Sequence, residues 1–292
     1  MGRSAEDLAK ANAHMDEIFD AARIPSQPTS GALFHYSSAD GLRDILETGE
    51  MFASHVGILN DTTEFSYGMA LVRPRLAALA DSGFAEVAAK VGRALDERIG
   101  CEVFATCFCE EDDLLPQWQG YGAAGSGYSI GFRSATLGLD GDALLLPVSY
   151  GDDEAVRRAD GAVQWAVHRL RKATDDRTAL DAFTTLAVCL LLVATSSKQK
   201  VFSHEREWRL LNMQLDKAGN AELSFRNVGG LSVPYVRVAV PRHPASGKLD
   251  LVSVRCGPTL FDTATERAVE LLLSKCGLEG VPVLRSKAPL RR

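Results

Sequence analysis

The predicted strands and helices of this chain follow one another without the regular strand–helix–strand alternation of a doubly wound parallel sheet. Buried-strand patterns occur early, at residues 32–36 and 103–108, and the last third, residues 207–284, is strand-rich. Between them, residues 152–195 have helical periodicity that is broken near residues 174–176. Elements mixed in this way favour an α+β fold.

The length of the chain bears on its domain organisation. A chain of 292 residues can bury roughly 75% of its unfolded surface, so it needs no disulfide or metal in order to fold. A cluster of breaker residues at Pro25–Ser30 follows a predicted N-terminal helix. We therefore expect residues 1–30 to form a helix and linker, and residues 31–292 to form a single α+β domain with a helical insert at about residues 152–197. Ser37 is predicted to open the first helix of that domain.

Charge and cysteine usage narrow the class of protein. The net charge of −6 argues against sequence-blind binding of nucleic acid, which needs a cationic surface. The first residues are polar and lack the apolar core of a secretory signal, and the six cysteines form no C-x-x-C pair. The most apolar stretch, Ala187–Ala194, is much shorter than the roughly 20 residues that span a bilayer. We expect a cytoplasmic protein with no membrane partner.

Several motifs of known chemistry fail on their context. Gly120–Gly125 satisfies G-x-G-x-x-G, but no strand is predicted before it and no helix after it, so it is not a Rossmann fingerprint. The histidines form no H-E-x-x-H pattern, and no metal site is expected. Cys107 and Cys109 are predicted to share one face of a strand. This pattern favours two cysteines packed in the core over a redox pair.

Three segments combine polar residues with the ends of strands. His35 lies on the first strand, Tyr121 lies in a glycine-rich segment, and a third segment holds Glu205, Glu207 and Arg209. If the third segment enters a strand, these last three side chains share one face. Two carboxylates there repel unless an arginine or a ligand hydroxyl interacts with both. Each segment also has a purely structural interpretation. His35 can be a histidine packed in the core, and the third segment can be an ion-paired strand edge.

The order of several short motifs resembles the bacterial domain-of-unknown-function family 2971. The motifs are Leu33–Ser38, Leu59–Asp61, Phe104–Cys109, Gln117–Gly122, Glu205–Arg209 and Cys256–Pro258. Two features depart from the family, which usually has serines where this chain has Cys107 and Cys109, and a Pro-Tyr-Arg where it has residues 289–291. The family itself implies no chemistry.

A more remote resemblance does imply chemistry. His35-Tyr36-Ser37 on a strand, followed by a helix with Ile-Leu and a glycine, is similar to the opening of ADP-ribosyltransferase domains. This resemblance implies a mixed or antiparallel split sheet with flanking helices. It also implies an enzyme that cleaves the nicotinamide–ribose bond of NAD, which is its substrate. The acceptor is a protein or nucleic acid that the sequence does not identify.

The same resemblance implies roles for particular residues. Glu207 would stabilise the oxocarbenium-like ribose, and Glu205 would orient or deprotonate the acceptor. His35, with Tyr36 and Ser37 beside it, would hold the adenosine-side ribose. The remaining expected contacts are stacking of Tyr121 or Trp118 on nicotinamide, and pairing of Arg206, Arg209 or Lys200 with the pyrophosphate.

Other functions stay open at this level. Nicotinamide leaves as a neutral molecule, so the proposed reaction needs no metal. An NAD glycohydrolase would use the same residues with water as the acceptor, and a non-catalytic binding or interaction module would use the same fold without turnover. A nucleic-acid-processing enzyme is a weaker alternative, because the basic residues 198–209 also include two glutamates.

Overall fold

The protein is described by a computed structural model that covers most of the chain. The described residues are 16, 19–20, 24–25, 27–58, 63–97, 102–138, 143–214, 223–228, 230–259 and 263–289. The predicted N-terminal helix therefore lies largely outside the described residues, as does the predicted start of a helix at residues 60–62. The division at residue 30 stays a prediction.

The described elements are strands and helices in mixed order. The strands are β1 (Ala32–Ser37), β2 (Glu50–His55), β3 (Glu102–Cys109), β4 (Tyr128–Arg133), β5 (Ala143–Pro147), β6 (Ser149–Tyr150), β7 (Ser197–Lys198), β8 (Glu207–Gln214), β9 (Ser224–Val228), β10 (Leu231–Ala239), β11 (Leu251–Cys256) and β12 (Val283–Arg285). The helices are α1 (Ala39–Thr48), α2 (Glu64–Val72), α3 (Arg75–Leu79), α4 (Ala85–Glu97), α5 (Leu115–Gly120), α6 (Asp152–Lys172), α7 (Asp176–Thr195) and α8 (Thr263–Lys275). A 3-10 turn, Lys200–Glu205, precedes β8.

Most predicted elements are present, with three local differences. The first helix is capped by Ser38, whose side chain accepts a hydrogen bond from the Gly41 amide, while Ser37 remains the last residue of β1. The prediction that Ser37 opens the helix is therefore wrong by one residue. Residues 115–120 form the short helix α5 and residues 50–55 form β2, and neither element was predicted.

A mixed sheet organises the fold and confirms the α+β class at that level. Among the described residues, ten strands form one sheet in the order β12-β11-β4-β1-β3-β2-β10-β9, and β8 joins β3 to β5. Within this sheet β11 and β12 run parallel, and the other pairs run antiparallel. One apolar face packs against α1 and α8 around Leu33, Phe132 and Trp208.

The sheet divides along one edge of β3. Strand β8 pairs with β3 from Glu102 to Cys109 and so occupies one edge completely. On the other edge, β2 pairs only near Ala105 and β1 only at Cys109. The middle of β3 therefore leaves backbone groups unpaired by any strand, and a gap opens between β1 and β2.

The helical insert packs with earlier helices in a second core. Helices α6 and α7 form the predicted hairpin, and α7 is capped by the side chain of Asp175. Their buried side chains join those of α2 and α4 in one apolar cluster. By length and hydropathy alone α7 passes as a membrane-spanning segment, yet half of its apolar window is buried. A helix packed in a protein core passes the same test of length and hydropathy, so this result alone does not indicate a membrane span.

Candidate functional site

A small cleft lies where the sheet divides, between β1, β3 and the start of β8. Its wall is made of four aromatic rings, two carboxylates and three other polar or sulfur groups. The lining residues are Phe34, His35, Tyr36, Cys107, Phe108, Gln117, Tyr121, Glu205 and Glu207. Its volume is about 50 Å³. Since one water needs about 10–15 Å³, the cleft admits a group the size of one ring, and the rest of a larger ligand must lie outside it.

His35 is held by the unpaired backbone of β3. Its Nδ1 lies 2.9 Å from the carbonyl oxygen of Cys107, so we assign the proton to Nδ1 and the lone pair to Nε2. Burial lowers the pKa of His35. The side chain therefore stays neutral near pH 7 and offers Nε2 as a hydrogen-bond acceptor.

Tyr121 reaches the cleft from a loop with backbone strain. The ring is 38% exposed, and its loop continues through Ala123 and Ala124, which have φ angles of 47° and 53°. Left-handed geometry at alanine costs about 1–2 kcal/mol per residue. The loop is anchored because the amides of Gly257 and Thr259 donate to carbonyls of Gly127 and Gly125. Strain of this kind persists where the surrounding structure holds a loop in a specific shape.

Five charged side chains form a buried ion-pair network behind the cleft. The Lys198 Nζ lies 3.0 Å from Glu64, 2.6 Å from Glu205 and 2.7 Å from Glu207. Arg209 Nε lies 2.7 Å from Glu207, and its Nη2 lies 2.5 Å from Glu64. Arg209 Nη1 also donates to the Thr195 carbonyl at 2.6 Å. With three carboxylates and two cations, the network has a net charge of −1.

The third segment has the shared strand face that was expected for Glu207 and Arg209, whereas Glu205 precedes the strand. Glu205, Glu207 and Arg209 lie on one side, where they share the ion-pair network. Trp208 points to the opposite face, into the apolar core. Glu205 is not in the strand, because Arg206 adopts the left-handed conformation with φ 46° and turns the chain into β8.

The network sets the charge of its members. Burial by itself raises the pKa of Glu207, but the positive charges of Arg209 and Lys198 outweigh it and lower the pKa to about 2. Burial by itself lowers the pKa of Lys198, but the neighbouring glutamates outweigh it and raise the pKa. Burial, with the neighbouring Glu207, raises the pKa of the Cys107 thiol well above its usual range, which keeps the thiol protonated near neutral pH.

These shifts predict how stability depends on pH. Glu207 has a pKa of 4.5 in the unfolded chain and about 2 in the folded protein, so it stabilises the fold above pH 4.5. We expect this contribution to be lost as the pH falls from 4.5 to 2. Urea unfolding across that window measures it. The Glu207→Gln variant lacks this group and should lose less free energy of unfolding over the same window, whereas equal losses would contradict the ion pairing.

The predicted site residues divide into those that border the cleft and those that lie behind it. His35, Tyr36, Tyr121, Glu205 and Glu207 border it. The hydroxyl of Tyr36 is already used, since it donates to the Glu111 carbonyl and accepts from the Leu114 amide.

Trp118, Ser37 and Arg209 do not border the cleft. Trp118 is 0% exposed, its indole donates to Asp113, and its ring packs edge-on against Tyr36. Stacking on a ligand is therefore left to Tyr121. Arg209 is buried in the network, so it does not face the cleft.

Sequence reasoning missed Glu64, Lys198, Tyr150 and Gln117. The Tyr150 hydroxyl accepts from the Glu207 amide at 2.7 Å, and the Gln117 side chain donates to the Glu205 carbonyl at 3.4 Å. Lys198 belongs to the basic segment 198–209, but no carboxylate partner was predicted for it. Glu64 was noted only as a residue near the start of a helix, three positions after Asp61, and its contact with Arg209 was not foreseen because the two are 145 residues apart.

The fold and site define a mixed α/β protein with a cleft backed by a buried ion-pair network. Residues 117–210 match the family model described as Protein of unknown function (DUF2971). This match supports the family that the motifs indicated, and the matched segment includes Tyr121, Glu205 and Glu207. Neither a curated protein nor a solved structure matches the chain.

Proposed function

We propose that this protein is an ADP-ribosyltransferase-like enzyme that cleaves the nicotinamide–ribose bond of NAD. The observation that carries the proposal is that His35, Tyr121 and Glu207, far apart in sequence, border one cleft. The resemblance implies a histidine on the first strand, an aromatic residue or a serine on a middle strand, and a glutamate on a late strand. His35 and Glu207 lie on β1 and β8 as it implies, whereas Tyr121 follows helix α5 and reaches the cleft from a loop. The gap between β1 and β2 supports it further, since the resemblance implies a split sheet.

The charge of the site suits this reaction. As the bond from ribose C1′ to the nicotinamide nitrogen breaks, the electron pair leaves with nicotinamide and positive charge develops on the ribose. A network with a net charge of −1 in a water-poor setting stabilises that charge more than the ground state. Glu207 keeps its negative charge because its pKa is about 2, and Lys198 and Arg209 hold its orientation.

Glu205 differs from Glu207 in a way that suits a second role. Its Oε2 is bound to Lys198, whereas its Oε1 has no partner within the described part of the chain. This free oxygen can accept the proton of an acceptor hydroxyl or amine while the acceptor forms its bond to C1′. Two neighbouring carboxylates thus have different environments, which is the usual basis for separate roles.

His35 and Tyr121 bind and orient the substrate. The Nε2 lone pair of His35 accepts a hydrogen bond from a ribose hydroxyl, and the half-exposed ring of Tyr121 stacks on nicotinamide. The cleft holds one ring-sized group, so the remainder of NAD extends along the open side of the sheet.

NAD consumption by the purified protein tests the proposal. We expect release of nicotinamide in molar excess over protein, measured by chromatography. Free ADP-ribose in equal amount would identify water as the acceptor, and ADP-ribose found on an added protein or nucleic acid would identify a transferase. If neither NAD binding nor nicotinamide release occurs, the proposal is wrong and the binding-module alternative gains support.

A further inference from the structure

A second functional feature lies on the other side of the gap in the sheet. Arg226 of β9 extends over two aromatic rings, with its guanidinium carbon 5.4 Å from the ring centre of Phe52 and 6.0 Å from that of Tyr235. Its Nη2 donates to the Ser54 hydroxyl at 2.8 Å. The guanidinium is thereby held in one place, although the residue lies at the surface.

Arg226 differs from its neighbour Arg237 in its ion pairing. Among the residues that the structure describes, no carboxylate lies within ion-pair distance of Arg226. Arg237 stacks on the same Phe52 ring, at 5.5 Å, but is bound to Glu50 at 2.8 Å. Loss of surrounding water lowers the pKa of Arg226 and outweighs the opposing effect of the nearby Tyr235. A fixed, partly desolvated arginine that has no counter-ion in the described part of the chain is well suited to bind an anion.

The position of Arg226 relates it to the candidate cleft. Its partner Ser54 pairs with Ala105 of β3, and the Cys107 carbonyl that holds His35 is two residues further along that strand. Two residues of a strand span about 7 Å. In agreement with this closeness, the charge of Arg226 contributes to the lowered pKa of His35.

The other arginines considered for phosphate binding are already paired. Arg209 is enclosed with Glu64 and Glu207, and its charge is needed there. Arg206 forms an ion pair with Glu111. Lys200, on the 3-10 turn, remains a rival that the experiment must separate from Arg226.

We propose that Arg226 binds the pyrophosphate of a nucleotide whose terminal ribose lies in the cleft. This inference rests on the proposed function, because the dinucleotide is its substrate. It identifies the basic residue for phosphate, which the sequence left open. Phe52 and Tyr235 hold the guanidinium from below, so its outward edge can make two parallel hydrogen bonds to phosphate oxygens.

Calorimetric titration with ADP tests the inference without any catalytic step. We expect Arg226→Gln to weaken ADP binding by about 10- to 100-fold, the usual effect of losing hydrogen bonds to a charged group. Arg237→Gln is the matched control, since it removes a guanidinium from the same ring, and it should change binding less than about twofold. Thermal melting checks that both variants fold.

Each outcome decides the matter. The inference is overturned if Arg226→Gln binds ADP with unchanged affinity. It is also overturned if Lys200→Met loses ADP binding instead, or if the wild-type protein does not bind ADP. If ADP binding depends on Arg226 but NAD is never cleaved, the anion site stands and the proposed reaction fails. If NAD is cleaved and its KM is the same in Arg226→Gln, the reaction stands and the assignment of Arg226 fails.

Discussion

Replacing Glu207 by glutamine should strongly slow NAD cleavage while the protein stays folded at neutral pH. Gln has the same shape and its amide oxygen can still accept from Arg209 Nε, whereas its NH2 group cannot accept from Lys198 or from Arg209 Nη2 as Oε2 does. The net charge of the network changes from −1 to zero, which removes the stabilisation of a cationic ribose. We expect the rate of nicotinamide release to fall about 10²- to 10³-fold, as for loss of one preorganised electrostatic contact.

A surface glutamate provides the control for this experiment. Glu47 is bound to Lys275 at 2.6 Å, away from the cleft, so Glu47→Gln removes a charge and an ion pair without touching the network. Its rate should equal that of the wild-type protein. Circular dichroism at neutral pH separates loss of chemistry from loss of fold. A Glu207→Gln variant that consumes NAD at the wild-type rate would show that Glu207 has no catalytic role.

The second large effect is expected from Lys198→Met. Three carboxylates lie within 3.0 Å of the Lys198 Nζ, and after substitution Arg209 alone remains to balance them. Breaking a buried pair by removing one partner costs about 3–5 kcal/mol, because the remaining charges stay buried and unpaired. We expect a loss of that size in the free energy of unfolding, measured by urea denaturation at neutral pH.

Lys275→Met is the comparison for Lys198→Met. Lys275 also pairs with a glutamate at 2.6 Å, but on the surface, where water and salt screen the charges. It should leave the unfolding midpoint almost unchanged. If both substitutions have the same small effect, the network around Lys198 does not contribute to stability as the structure implies.

The two predictions concern the same charges, and this links stability with the candidate activity. Glu64 stands at the start of α2, and its contact with Arg209 connects the helical core to the sheet. A network that holds Glu205 and Glu207 at the cleft therefore also joins two parts of the fold. Substitutions there will affect both properties, so measurements of activity need the folding controls described above.

Local patterns in the sequence determined most of the secondary structure. Helical periodicity predicted the α6–α7 hairpin and its break, and the glycine at position 49, with φ 70°, ends α1 as a terminal glycine should. Alternation along a strand placed Glu207 and Arg209 on one face, away from Trp208. These features depend on residues only a few positions apart, which is why the sequence alone was sufficient for them.

Only the tertiary structure decided which partners these side chains have. The division of the sheet at β3 leaves the Cys107 carbonyl free for His35, and folding brings Glu64 to Arg209 and Arg226 to the edge of the same gap. It also encloses Trp118, which the sequence left beside Tyr121 as an equal candidate for stacking. Such contacts join residues tens to more than a hundred positions apart, and their energies depend on burial and on the final charge balance, neither of which a local pattern contains.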